Sequence, residues 1–353
     1  MTIPAILSLA TGVPETRYPQ AEIAEYFIAL QRHESRRARA IRSIFERSGV
    51  GYRHFVVGDD YFVTDRTTQE RNDRYMEEAI PLSEATIRRG LEASGYRAED
   101  VDDLIVVSCT GIAVPGLDLH LAARLGMRPD LQRACVIGMG CYGAFPGLLR
   151  ARQAAASQAG RLALMISVEL CSLHMQFDEQ AETIVSSALF ADGASMALVG
   201  VPGDQPDAPQ PRILHSATRC DYTTFEHMSF HLTNNGFRMY LSSYVPDLLR
   251  AQIEPFVDDM LSQCGLKRGD VRHWGIHPGG STIIEYVGAQ LGLTSAQVDS
   301  SYQVLHDYGN MSSATILFVL DRIQRCHQPS PGDYGVLLAF GPGLTMEGIV
   351  LQW

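Results

Sequence analysis

The stretch from Val201 to Pro211 carries prolines at 202, 206, 209 and 211 among Gly, Asp and Gln. Proline lacks the N–H that a helix or central strand needs, and its ring collides with the preceding helical turn, so neither element can run through this stretch. The chain is therefore divided in two, with boundaries expected at 1–205 and 206–353. Each side shows the same alternation. Before the break, β-branched and apolar runs predict strands near Ala5–Leu9, Leu104–Ser108, Ala134–Ile137, Leu162–Val168 and Ser195–Gly200. After it they predict strands near Ile213–Thr218, His273–Ile276, Tyr334–Phe340 and Met346–Gln352, and helical periodicity fills the intervals on both sides. Such alternation implies an α/β protein with mostly parallel sheets covered on both faces. At 353 residues and 46% hydrophobic the chain can bury a large core, and length alone would allow two or three domains.

Charge and cysteine usage narrow the class. A net charge of −11 argues against a general nucleic-acid binder. The seven cysteines, at 109, 135, 141, 171, 220, 264 and 326, form no CxxC pair, so neither a zinc site nor a disulfide framework is indicated, and the cell interior is the expected compartment. No apolar run approaches the ~20 residues of a membrane span, and the start Met1-Thr2-Ile3-Pro4 lacks the charged-then-apolar pattern of a signal peptide.

Three motifs carry chemistry. From Val136 to Gly147 a β-branched stretch passes through Gly138, Gly140 and Gly143 into an alanine-rich helical pattern reaching about Gln158, which puts Cys141 at a helix start. The unpaired N–H groups and positive dipole end there favour thiolate over thiol. The second motif is Trp274-Gly275-Ile276-His277-Pro278-Gly279-Gly280-Ser281 and the third is Tyr308-Gly309-Asn310-Met311-Ser312-Ser313-Ala314, each a turn leading into an amphipathic helical pattern. Singly, Cys141 reads as an inert buried thiol, His277 as a satisfied core histidine and Asn310 as a cap. Together they supply a nucleophile, a base and a neutral hydrogen-bond donor, the parts that covalent acyl transfer requires.

In this order and at these separations, the three motifs resemble those of the type III polyketide synthases, the chalcone synthase-like branch of the thiolase-fold condensing enzymes. Gly341-Pro342-Gly343-Leu344-Thr345-Met346-Glu347 is similar to the family's C-terminal signature, and Ser187-Ala188-Leu189-Phe190-Ala191-Asp192-Gly193-Ala194 extends the resemblance over nearly the whole chain. It implies a thiolase-like fold of two pseudo-symmetric βαβαβαββ halves in five layers, αβαβα, with the cysteine in the first half and the histidine and asparagine in the second. The implied activity is that of a decarboxylating acyltransferase. Cys141 would take a starter from an acyl-CoA with His277 stabilising its thiolate, His277 and Asn310 would stabilise the enolate left when malonyl-CoA loses CO2, and Claisen attack would lengthen the chain before cyclisation. The partners implied are acyl-CoA, malonyl-CoA and a second copy in a homodimer, with no metal or redox cofactor, in the cytoplasm.

The resemblance also assigns the surroundings. Phe190 and Phe230 align with entrance phenylalanines, Arg47 aligns with a CoA-binding basic position, and Arg42 lies one residue from another within the cluster Arg36, Arg37, Arg39, Arg42 and Arg47. Gly279 and Gly280 belong to the CoA side. Cys109 and His174 would line the elongation cavity and Gly343 would floor the cyclisation pocket, although His174 reads equally well as a structural histidine. Three other readings compete. A ketoacyl synthase that initiates fatty acid synthesis shares the Cys-His-Asn set but matches the terminus and gatekeeper poorly. A papain-like hydrolase has the same residue order on a different architecture, and a non-catalytic scaffold would not need the triad.

Overall fold

The structure is a computed structural model and describes residues 3–31, 35–203, 209–224, 228–241 and 245–353; part of the proline-rich break, 204–208, lies outside them. The first half contains strands β1 (Ala5–Gly12), β2 (Arg17–Pro19), β3 (Tyr52–His54), β4 (Asp103–Ser108), β5 (Gln132–Ile137), β6 (Ala163–Leu170) and β7 (Asp192–Gly200). Its helices are α1 (Gln20–Gln31), α2 (Ser35–Arg47), α3 (Thr68–Ser94), α4 (Leu117–Leu125), α5 (Ala144–Ser157) and α6 (Ala181–Ser187). The second half contains β8 (Arg212–Cys220), β9 (Met228–Thr233), β10 (Gly236–Leu241), β11 (Val271–Ile276), β12 (Tyr334–Gly341) and β13 (Thr345–Gln352), with α7 (Val245–Ser262), α8 (Ser281–Leu291), α9 (Ser295–Tyr308) and α10 (Thr315–Arg322).

The nine strands expected from the sequence are the nine strands of one sheet, in the order β11-β12-β13-β8-β1-β7-β6-β4-β5. Outward from the centre, the first half reads β1-β7-β6-β4-β5 and the second reads β8-β13-β12-β11. The two series match position for position except that β5 has no counterpart. The halves join where β1 meets β8 through the Ala5–Arg212 pairing. The sheet is mixed rather than mostly parallel: β4–β5, β4–β6 and β11–β12 are parallel, and the other pairings are antiparallel. For β12 and β13 the reason is plain, because the link Pro342–Leu344 is too short for a parallel crossover and can only turn back.

Helix α10 touches β1 and β7 of the first half as well as β11 and β12 of the second, and α5 touches β4, β6 and β7 but also β8 and β13. These two helices therefore lie between the two parts of the sheet. Their sequences show why. Thr315, Ile316, Leu317, Phe318, Val319 and Leu320 are all buried, so α10 has no solvent face until its last two residues, as a helix of the central layer requires. Truncating such a residue, as in Leu317→Ala, should cost about 2–5 kcal/mol in transfer and cavity terms. Helix α3 covers β1, β6 and β7 from outside, α4 covers β4 and β5, and α7 and α9 cover strands of the second half. Helix, sheet, helix, sheet and helix make the five layers of a thiolase-like fold. Among the described residues no helix is long and apolar enough to cross a membrane.

Candidate active site

Both central helices begin at the site. After β5, Gly138 (φ 75°) and Gly140 (φ 69°) adopt left-handed backbone that favours glycine, and the chain makes a short 3-10 turn over Gly140–Tyr142 before α5. A Cβ at Gly140 would stand 2.7 Å from Pro342 Cδ, so glycine lets the Cys141 turn press against the C-terminal segment. The α5 start has no side-chain cap, as expected for a helix end that serves the nucleophile. Asn310 lies between α9 and α10. Its main chain pairs with the Phe190 segment: Asn310 N donates to Leu189 O (2.9 Å) and Ala191 N to Asn310 O (2.9 Å). His277 follows β11, tied to the neighbouring strand by its N–H to Leu338 O (2.8 Å).

Cys141, His277 and Asn310 are all buried and together line one chamber of about 400 Å³ with Gly279, Gly280, Phe190 and Phe230. Asn310 Oδ1 accepts from Ser312 N (2.9 Å), which turns the amide NH2 the other way, toward the thiol. Among the described residues neither ring nitrogen of His277 has a hydrogen-bond partner. Burial dominates the electrostatics. It pushes the Cys141 thiol up to about 11, although hydrogen bonds from Ser312 and Asn310 act the other way, and it pushes His277 down to about 3. The helix-start argument for a thiolate is thus outweighed, because both groups have left water. Proton transfer from sulfur to imidazole would bring both penalties into play at once, and the attraction between the two charges formed is what would offset them.

Phe190 and Phe230, with ring centroids 6.2 Å apart, separate this chamber from a second, narrower cavity of about 60 Å³ lined by both phenylalanines and by Cys109, His174, Phe237 and Ser312. On the opposite side a groove of about 420 Å³, which shares Val185, Leu189, Gly280 and Thr282 with the chamber, contains Arg47. Arg42 is not among its lining residues. Its guanidinium is bound by Glu25 at 2.5 and 2.8 Å, a pairing across the α1–α2 hairpin that neutralises it locally. Gly343 lines neither cavity; Phe340 and Pro342 of the same segment line the Cys141 chamber instead. His174 is fully satisfied: Nε2 donates to Thr110 O (2.7 Å), Nδ1 accepts from Phe237 N (3.2 Å), and burial lowers it to about 4, so it is a neutral bracket holding β10 against the cavity.

Ser312 belongs to the third motif, where the sequence alone marks no role for it. Its hydroxyl stands between two sulfurs, 3.7 Å from Cys141 Sγ and 3.4 Å from Cys109 Sγ, on backbone held at φ 47°. A positive φ at a non-glycine residue is strain of the sort functional sites retain. Behind it, buried Glu169 accepts from Cys109 N (3.0 Å) and Thr110 Oγ1 (2.8 Å) and from the Ser313 hydroxyl, which locks the floor beneath both cysteines. No local sequence signal marks Glu169, since its partners lie far away in the chain.

Two family models match: the chalcone and stilbene synthase N-terminal domain over residues 2–203 and the C-terminal domain over residues 215–353. The chain belongs to the chalcone and stilbene synthase family. The 1,3,6,8-tetrahydroxynaphthalene synthase of Streptomyces peucetius subsp. caesius is 33% identical, over 99% of this chain and 93% of that protein. The 3,5-dihydroxyphenylacetyl-CoA synthase of Streptomyces toyocaensis is 31% identical, over 99% and 90% respectively. In structure, the chain is similar to PKS-I from the brown alga Ectocarpus siliculosus, with a TM-score of 0.93 and 31% identity over 100% of this chain and 98% of that one. It matches the C-terminal type III polyketide synthase domain of Steely1 from Dictyostelium equally well in shape, at 26% identity. The protein is a type III polyketide synthase, an acyltransferase-type condensing enzyme, and the ketoacyl synthase alternative is not favoured.

Proposed function

We propose that this chalcone and stilbene synthase family member loads an acyl group from acyl-CoA onto Cys141, extends it with malonyl-CoA and cyclises the resulting poly-β-keto chain. The observation that carries this reading is a nucleophile from one half and two hydrogen-bonding side chains from the other, converging in a chamber that opens toward Arg47 on one side and a cavity on the other. Proton transfer from Cys141 to His277 frees the sulfur to attack the thioester carbonyl, and CoA leaves as its thiol. Malonyl-CoA then loses CO2. The electron pair released becomes an enolate whose oxygen takes hydrogen bonds from a neutral His277 N–H and the Asn310 NH2. The enolate carbon attacks the acyl carbonyl on Cys141 and the sulfur departs, leaving a chain two carbons longer.

Decarboxylation drives this cycle, so CoA thioesters suffice and no metal or redox cofactor is called for. Phe190 and Phe230 would gate the passage to the cavity, where Cys109 limits chain size, and the product would be a pyrone, resorcinol, phloroglucinol or naphthalene. The enzyme would act in the cytoplasm as a homodimer. Edge strand β5 supports the dimer: Ile137 and Met139 at its end are exposed, as are Ile112 and Val114 beyond the paired end of β4, with Val114 97% exposed. The two halves, meeting near residue 205, would work as one unit. Incubation with malonyl-CoA and a panel of acyl-CoAs, read by mass spectrometry, tests the reading: free CoA, CO2 and a polyketide are expected. Release of free acid without a new carbon–carbon bond would contradict it.

A further inference from the structure

We propose that Arg53 is a positioning residue that holds Phe190 and Asn310 in the geometry required for decarboxylation; this rests on the reading of Asn310 as an enolate donor. Arg53 lies on β3, is wholly buried and touches neither cavity. One nitrogen, Nη1, donates to both Ser187 O (2.7 Å) and Phe190 O (2.8 Å). Ser187 ends α6, so its carbonyl is one of the acceptors a helix C-terminus leaves open, and a cation is favoured there. Gln20 takes the next carbonyl, Ala188 O, at 2.7 Å. Residues 187–190 are thereby gripped from the N-terminal side.

Asn310 hangs on the same segment, through Leu189 O and Ala191 N. The contact is direct as well. Gly309 has φ 73°, and a Cβ there would stand 2.9 Å from Arg53 Cγ and 2.9 Å from Leu189 O. Arg53, the Leu189–Ala191 main chain and Gly309–Asn310 are thus packed into one stack, with Asn310 at the reacting end. The arrangement is costly for a mere fold clamp. Among the described residues Nε and Nη2 of Arg53 are buried without a hydrogen-bond partner, with the Phe45 and Phe55 rings 5.8 and 5.2 Å from the guanidinium, and Asp192, whose charge acts on Arg53, spends its hydrogen bonds on Ser172 and Val56. Native structures leave few polar groups in this state, and those they keep tend to serve a site.

The test compares Arg53→Lys, Arg53→Met and Gly309→Ala with the wild type by CO2 release from malonyl-CoA and by acylation of Cys141 from an acyl-CoA, read by intact mass. Misplacement by about 1 Å can lower a rate on the order of 10²-fold, so CO2 release should lose about 10- to 100-fold in kcat with little change in KM. Acylation should stay within about threefold, because Cys141 hangs on a different segment. Arg53→Lys, which keeps the charge, should fall between wild type and Arg53→Met. Unchanged CO2 release in a folded variant would overturn the proposal. Parallel loss of both steps in Arg53→Lys and Gly309→Ala, through misfolding or otherwise, would make Arg53 a scaffold residue and overturn it equally. Asn310→Ala, run alongside, separates the two ideas: intact CO2 release in that variant sinks the underlying reading of Asn310 and not only the role of Arg53.

Discussion

The two halves share a strand order, yet they contribute different parts to the site. In the first half the chain leaves edge strand β5 and enters α5 through Cys141; in the second it leaves α9 and enters α10 through Asn310, with no strand at the corresponding place. Both side chains sit just ahead of a central helix that starts without a side-chain cap. Cys141 and Asn310 therefore occupy related positions, and residue identity distinguishes them. The missing strand also changes the surroundings. β5 is largely exposed, whereas the residues from Asn310 through Leu320 are all buried. The first half ends in an exposed edge strand and the second closes the chamber.

That division of labour can be broken by mutation. Cys141→Ala should abolish polyketide formation while slow decarboxylation of malonyl-CoA continues, since His277 and Asn310 survive; product retained by this variant would mean that the first half does not carry the acyl chain. Asn310→Ala should slow CO2 release by about 10² to 10³ for one lost donor, and an unaltered rate would remove the second half from that step. The protonation state sharpens the picture. With Cys141 held near 11, inactivation of the unliganded enzyme by iodoacetamide should climb about tenfold per unit between about pH 7 and 9, following the thiolate fraction. A flat profile would reveal a thiolate–imidazolium pair formed before substrate arrives. His277, held near 3, stays neutral when the solution is acidified to about pH 5, so its donor role persists there. Smallest of all, Arg47→Glu should raise KM for CoA esters about fivefold, the worth of one exposed ion pair, and leave acyl-N-acetylcysteamine thioesters unaffected.

Much of the architecture was legible because burial imposes period. All nine strands of the main sheet, and the helical patterns after Cys141, His277 and Asn310, follow from apolar runs broken by glycine and proline. The small pairs β2–β3 and β9–β10 escaped notice. The first is three residues long, and both lie outside the main sheet. Site residues announced by turns were readable, whereas those defined by distant partners were not. In the sequence Arg42 reads as available for phosphate, but Glu25, 17 residues away, stands beside it in the fold. His174 carried two equal readings that only Thr110 and Phe237 could separate, and Arg53 is one arginine among many until its carbonyl partners at 187 and 190 are known. Burial misled in one respect as well: the dipole at a helix start is local and readable, but the loss of water that outweighs it at Cys141 is a property of the assembled fold.

The central claim is that acyl loading and decarboxylation are separate tasks performed by side chains from different halves of the molecule. Peptide mass spectrometry of Asn310→Ala after exposure to an acyl-CoA, with CO2 release from malonyl-CoA measured on the same preparation, tests it most directly. The account predicts an acyl adduct on the peptide containing Cys141 together with CO2 release close to background. An adduct on Cys109 instead, no adduct at all in a folded protein, or decarboxylation at the wild-type rate would contradict it.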